Sequence, residues 1–209
     1  MAGTFIGWRG DFQGFFLGLQ ANNSKAYFES HRRQYEEEVK RPMVALLADL
    51  EPEFGPARLS RPNRDIRFSA DKSPYKTNIY ADARGGGYVA LDASGLVAAG
   101  GRYVIDAPEL ARFRDAVAAD RSGRELAGIV DGLREKAYEL GGQDLKRVPS
   151  PHPQDHPRRD LLRHKRLMYW RRWAIGPWIA TPEALERVAQ VWRDGAELNA
   201  WLTTHLDGC

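Results

Sequence analysis

The hydrophobic period of this chain changes twice along its length, and the order of those changes restricts the folds open to it. After Asn22 the apolar residues Phe28, Tyr35, Val39, Met43, Leu46, Leu47 and Leu50 recur at spacings of three, four and seven. That is the stripe of a helix with one buried face. Glu29, Arg32, Arg33, Glu36, Glu37, Glu38 and Lys40 lie between them and suit a wet face. Pro42 has no N–H and crowds the preceding turn, so this helix is expected to kink or split there. From about 64 to 104 the apolar runs are short: Ile79–Ala83, Tyr88–Asp92 and Leu96–Ile105. Gly85-Gly86-Gly87 and Ser94-Gly95 separate them as turns between antiparallel strands. Helical spacing returns after Pro108. Helices, then strands, then helices, without βαβ alternation, predict an α+β fold. Its antiparallel sheet has roughly four to six strands, covered by a long kinked N-terminal helix and the later helices.

Local signals sharpen the outline. Asp11 is the expected N-cap of a helix over 11–20, and Asn22 or Asn23 that of the long helix. Ser122 and Glu125 have capping-box spacing. Leu126, Ile129, Val130, Leu133, Ala137 and Tyr138 continue as a helical stripe that Gly141-Gly142 ends. Residues 143–160 are rich in proline and read as a long ordered loop, with a strand inside Leu161–Trp173. Thr181-Pro182-Glu183 opens the last helical region, which carries Leu185, Val188, Val191, Trp192, Leu198, Trp201 and Leu202. Neither a repeat nor a linker interrupts the chain, so 1–209 is read as one domain.

Composition excludes several classes. A chain of 209 residues buries enough surface to fold without staples. Its single cysteine, Cys209, forms no disulfide framework and is not a candidate nucleophile. Arg9 and Asp11 interrupt any apolar leader, and no apolar run reaches the roughly 20 residues of a spanning helix. The expectation is a soluble cytoplasmic protein with no membrane partner.

The net charge of +3 is mild, but two segments concentrate it. Residues 64–78 set Arg64, Arg67, Lys72 and Lys76 among Asp65, Asp71, Tyr75 and Asn78, with Pro74 at a corner. Cations held this closely repel one another unless carboxylates lie between them or an anion is received. Arginine offers a bidentate fork and lysine a point charge. One reading is therefore an anion pocket for a phosphate-bearing ligand. It is built from Arg64, Arg67, Lys72 and Lys76, with Tyr75 and Asn78 orienting the ligand. If the protein is an enzyme, Asp65 or Tyr75 handles protons. The other reading is an ion-pair network that locks helix to sheet.

Asn22-Asn23-Ser24-Lys25, at a helix start, is a further place where an anion is welcome. The second basic segment, 158–172, holds Arg158, Arg159, Arg163, Lys165, Arg166, Arg171 and Arg172 against Asp160. It reads as a solvated face or as a polyanion-binding surface for nucleic acid or a protein partner. Tyr169, Trp170 and Trp173 interleave with these arginines, as in base stacking or in ordinary sheet packing.

These motifs carry a family resemblance. Phe12-Gln13-Gly14-Phe15, Asn22 to Phe28, His31-Arg32 and Tyr35-Glu36 contribute to it. So do Arg64 to Asn78, Leu145-Lys146-Arg147, Asp155-His156-Pro157 and Asp160-Leu161-Leu162. Together they resemble the bacterial and fungal family catalogued as domain of unknown function 2461, over most of the chain. Family members usually carry Trp and Asn where this chain has Tyr27 and His31. The resemblance implies no reaction. The chain has no nucleophile elbow, HExxH, Walker lysine or dinucleotide fingerprint. His152, Asp155 and His156 lack a completing ligand, so neither a metal nor a cofactor is expected.

Overall fold

The computed structural model describes residues 4–67 and 69–207. Cys209, and Phe68 of the basic motif, lie outside that range. Helix α1 (Phe12–Ala21) is capped as expected: the Asp11 carboxylate accepts from the Gly14 N–H at 2.8 Å. The cap of α2 (Lys25–Ser30) is neither Asn22 nor Asn23 but Ser24, whose Oγ accepts from the Tyr27 N–H at 3.2 Å. Asn22 closes α1, and the amide of Asn23 is used elsewhere. After α3 (Arg32–Gln34) the chain enters a π-helical segment, Tyr35–Lys40, and then α4 (Arg41–Phe54) with Pro42 in its first turn. The expected break is therefore present, and its form is a widened turn. The Arg41 N–H reaches back to the Glu36 carbonyl, which makes room for a ring that an α-turn would crowd.

Strands β1 (Ala57–Leu59), β2 (Asn78–Ala83), β3 (Gly87–Asp92) and β4 (Gly95–Arg102) follow, then α5 (Ala107–Ala118) and α6 (Asp120–Glu135). The chain continues through β5 (Glu139–Gly141), α7 (Arg159–Leu162), β6 (Leu167–Ala174) and a 3₁₀ turn at Pro177–Ala180. It finishes with α8 (Glu183–Asp194) and α9 (Ala196–Leu206). The strands form one six-stranded antiparallel sheet in the order β1-β2-β3-β4-β6-β5, and the fold is α+β. In the β2–β3 ladder Ile79 faces Leu91 and Ala81 faces Val89. All four are buried, so period-2 alternation places Tyr80 and Asp82 on the opposite face.

The chain divides into two compact units. One runs to Ala98 and adds Arg172–Gln190; the other is Ala99–Arg171 and the chain from Val191. The first buries Phe5, Trp8, Phe15, Phe16, Met43, Leu46 and Leu91. The second buries Phe113, Leu126, Val130, Tyr169, Leu198 and Leu206.

Two local expectations change. The capping box belongs to α5, where Asp106 and Glu109 exchange bonds. Ser122 lies inside α6 and donates its hydroxyl to the Ala116 carbonyl at 2.6 Å. The stripe through Ala137 and Tyr138 is not helical to its end. Ala137 takes φ +59° and turns the chain toward β5, while Tyr138 sets its ring edge-on to Tyr169 at 5.8 Å. The strand expected inside Leu161–Trp173 is β6, which begins at Leu167 after the short α7.

His164, 7% exposed, is a buried polar residue although Arg163 and Lys165 flank it in sequence. Its Nδ1 lies 3.1 Å from the Arg166 carbonyl, so Nδ1 carries the proton and donates. Burial holds its pKa below the ordinary histidine value. The unfolded chain therefore binds more protons than the fold just below about pH 6.5. This contribution to stability is complete above that pH and is lost as pH falls toward the depressed value. Urea unfolding is expected to show a lower midpoint at pH 5 than at pH 7.5, and H164Q should shrink the difference. An unchanged difference in H164Q would contradict the assignment.

Candidate functional site

The basic motif leaves the sheet between β1 and β2 and returns to it through a narrow neck. Asn63 and Tyr75 form an isolated antiparallel bridge. The Arg64 N–H donates to the Pro74 carbonyl at 2.9 Å and the Lys76 N–H to the Pro62 carbonyl at 2.8 Å. The neck is fastened to the helical side by Asn23. Its Nδ2 donates to the Tyr75 carbonyl at 2.9 Å and its Oδ1 accepts from the Tyr75 N–H at 3.0 Å. The Tyr75 ring is 6% exposed and stacks on Phe28 at 4.2 Å with an interplanar angle of 4°. The Asn22–Lys25 segment and the 64–78 motif, far apart in sequence, thus meet at Tyr75.

Within the loop, two of the cations have carboxylates. Arg64 pairs with Asp71. That bond, followed by those from Ser73, holds the Asp71 carboxyl well below the usual carboxylate range. Ser73 also donates its N–H to Asp71 Oδ1 at 2.9 Å, so this aspartate caps its own turn. Arg67 forks onto Asp65 at 3.0 and 2.7 Å and lowers its pKa. Lys72 donates to the Ile66 carbonyl at 3.0 Å. Asn78 opens β2 opposite Asp92.

Lys76 differs from the arginines. Its ammonium donates to the carbonyls of Arg61 and Asn63 at 2.6 and 2.8 Å and lies 5.6 Å from the centroid of the Tyr80 ring. Burial, with the charge of Arg61, holds its pKa below the ordinary lysine value. Neither Lys76 nor Arg61 forms a salt bridge among the described residues. Arg61 is the charge that sequence reasoning passed over. It lies three residues before the motif, and its influence reaches both Lys76 and Asp65. Residues 61–78 carry five cationic side chains against two carboxylates. Arg61, Lys72 and Lys76 are left without one, and the charge of Arg61 acts on Lys76.

The family profile described as conserved hypothetical protein (DUF2461) matches residues 11–201 of the chain. The protein belongs to the DUF2461 family. No curated protein and no solved structure gives a significant match.

The matched span also contains the 158–172 block, where most cations are used internally. Arg158, its side chain 10% exposed, donates to the carbonyls of Val117 and Ala118 at the end of α5, at 2.6 and 2.7 Å. Arg163 holds the Leu145 carbonyl at 2.8 Å and Arg166 holds Asp144 at 3.0 Å. Arg171 binds the Lys136 carbonyl and covers the Tyr138 ring at 4.3 Å. Arg172 reaches Asp92 and Ser94. Arg159 and Lys165 are exposed and have no partner among the described residues. The aromatics are packed as well. Tyr169 is fully buried, and Trp173 meets Trp178 edge-on at 6.2 Å.

Among the described residues no three His, Cys, Asp or Glu side chains group as a metal site. His152 and His156 lie 6.4 Å apart by ring centroid, and His156 Nδ1 accepts from the Arg158 N–H. No helix of the described residues is long and apolar enough to cross a membrane. Tyr27 and His31 stack on each other at 4.0 Å.

Asn23→Ala removes two part-buried bonds at once. It should cost about 1–3 kcal/mol in urea unfolding, whereas Asn22→Ala, exposed at the end of α1, should cost less than about 0.5 kcal/mol. Equal costs would mean that Asn23 is an ordinary cap.

Proposed function

We propose that this protein binds a phosphate-bearing anion at the 61–78 loop, with Arg61 and Lys76 at the centre and Arg64, Arg67 and Lys72 around them. The observation that carries the reading is the uncompensated pair. Lys76 is partly buried, holds only carbonyls, and feels the positive charge of Arg61. Two like charges kept close, one of them stripped of part of its water, are stabilised by a multiply charged anion placed between them.

The surroundings support the same reading. Asp65 and Asp71 are already committed to Arg67 and Arg64, so they hold those arginines in place and leave the central pair unneutralised. Asn23 and the Phe28–Tyr75 stack brace the neck from which Lys76 projects. Preorganised donors reduce the entropic cost of binding. Tyr75 serves here as scaffold, because its ring is buried. Asn78, at the start of β2, is a further polar group close in sequence to Lys76.

A nucleic-acid or protein-partner role for 158–172 rests on fewer groups, Arg159 and Lys165, because the other cations hold carbonyls and carboxylates. The loop is the better-supported site.

The test is thermal unfolding with inorganic phosphate, pyrophosphate, a nucleoside monophosphate and its parent nucleoside, and an oligonucleotide, at low and high salt. A ligand at about 100 times its Kd stabilises by about 2.7 kcal/mol. The expected result is a rise in Tm with a phosphate compound at both salt levels, and none with the nucleoside. R61A, which removes an exposed and unpaired side chain, should keep the unliganded Tm and lose the shift. A shift unchanged in R61A, or one given only by the oligonucleotide at low salt, would contradict the proposal.

A further inference from the structure

A concavity in the first unit has a chemistry different from that of the 61–78 loop and does not involve it. It lies between the N-terminal arm, residues 4–10, and the π-helical segment with the start of α4, and has a volume of about 260 Å³. The arm is firmly held. The Phe5 N–H donates to Asp49 at 2.8 Å, the Trp8 indole to the Val39 carbonyl at 3.3 Å, and the Trp8 N–H to the Ile179 carbonyl at 2.8 Å. The cavity wall includes Phe5, Ile6, Pro42 and Ala45, and Ile6 is 49% exposed.

Charges of both signs line the same space. Glu38 Oε2 is buried and has no hydrogen-bond partner. A carboxylate oxygen in that state is costly to keep. It is also held close to the arm: a Cβ on Gly10 would lie 2.4 Å from Glu38 Cγ and 2.6 Å from Oε2. A side chain at Gly10 would displace that of Glu38. Gly7, at φ +98°, is more constrained, since a Cβ would lie 2.2 Å from the Ala180 carbonyl carbon.

Arg9 uses its Nε on the carbonyls of Ile6 and Ala180, leaving its terminal amino groups without a partner among the described residues. Arg41 is exposed and also unpaired there. In a regular α-helix Glu37 and Arg41 would be neighbours four residues apart. The widened turn removes that register, and no salt bridge joins them. Widened turns of this kind are frequent at functional sites.

An apolar wall, a carboxylate lacking a donor and two arginines with free donors describe a small amphipathic zwitterion. The volume lies below the roughly 300–1,000 Å³ of drug-sized sites. We propose that this cavity binds a free apolar α-amino acid, its ammonium toward Glu38, its carboxylate toward Arg9 and Arg41, and its side chain against Phe5, Pro42 and Ala45. An amine without the acid would face two arginines uncompensated. An acid without the amine would face Glu37 and Glu38. Both charges are required.

Isothermal titration of the full chain with L-phenylalanine, phenethylamine and 3-phenylpropionate tests this directly. The expected result is saturable binding of L-phenylalanine, with each truncated analogue at least about tenfold weaker. R41Q should weaken L-phenylalanine at least about tenfold while leaving Tm and circular dichroism unchanged. E38Q should also weaken it, and R41Q carries the test if E38Q fails to fold. Inorganic phosphate in the cell should leave the affinity unchanged, which separates this site from the anion loop. No saturable binding of L-phenylalanine, equal binding of 3-phenylpropionate, or an unaltered affinity in R41Q would overturn the proposal.

Discussion

The side chain of Asn23 binds the backbone of Tyr75 as a neighbouring β-strand would, one donor and one acceptor on a single residue. That contact determines whether residues 61–77 are a loop of fixed shape or a loose excursion from the sheet. The segment has little apolar material of its own, and its two ends enter the edge strand β1 and its neighbour β2. Each bond contributes about 0.5–1.5 kcal/mol net, and the parallel Phe28–Tyr75 stack adds an aromatic contact of about 0.5–1.5 kcal/mol. These terms are small individually. They act at the neck, where one fixed residue aligns the Arg64–Pro74 and Lys76–Pro62 backbone bonds on either side of it.

The electrostatics of the loop follow from that anchoring. With the neck closed, Asp71 faces Arg64 and Asp65 faces Arg67, and their carboxylates become part of the framework. The surface pairs contribute little stability on their own. Their larger effect is positional, because they use up the local negative charge. Lys76 then holds the carbonyls of Arg61 and Asn63 and feels the charge of Arg61, with no carboxylate to offset either cation. Internal bracing and anion binding are therefore compatible in this loop. The same carboxylates that hold the outer arginines leave the inner cations unneutralised.

Much of this was legible in the residues. The switch from a 3.6-residue period to short glycine-bounded runs separated helices from sheet, and Pro42 marked the break between α3 and α4. Asp11 as the cap of α1 followed from its place just before the helix. What stayed hidden depends on long-range contacts. Asn23 looks like an N-cap because asparagine before a helix usually is one, and nothing local reveals that Tyr75 would claim its amide. Arg61 drew no notice because its importance comes from where Lys76 folds back. The arginines of 158–172 looked like a charged face, since sequence alone does not show that Arg158 turns inward to the end of α5 or that Arg171 lies over Tyr138. Ala137 and Tyr138 extended a helical period by coincidence, one as a turn residue and the other as an aromatic packed on the sheet.

Amide hydrogen exchange resolved to single residues tests the central claim, that Asn23 holds the basic loop in one shape. In the wild-type protein the amides of Arg64, Tyr75 and Lys76 should be protected well beyond those of Lys72 and Ser73. In Asn23→Ala all three should lose that protection together, while Ile79, Ala81 and Val89 in the sheet keep theirs. Neck amides that exchange as fast as free peptide in the wild type, or that are unaffected by Asn23→Ala, would contradict the account.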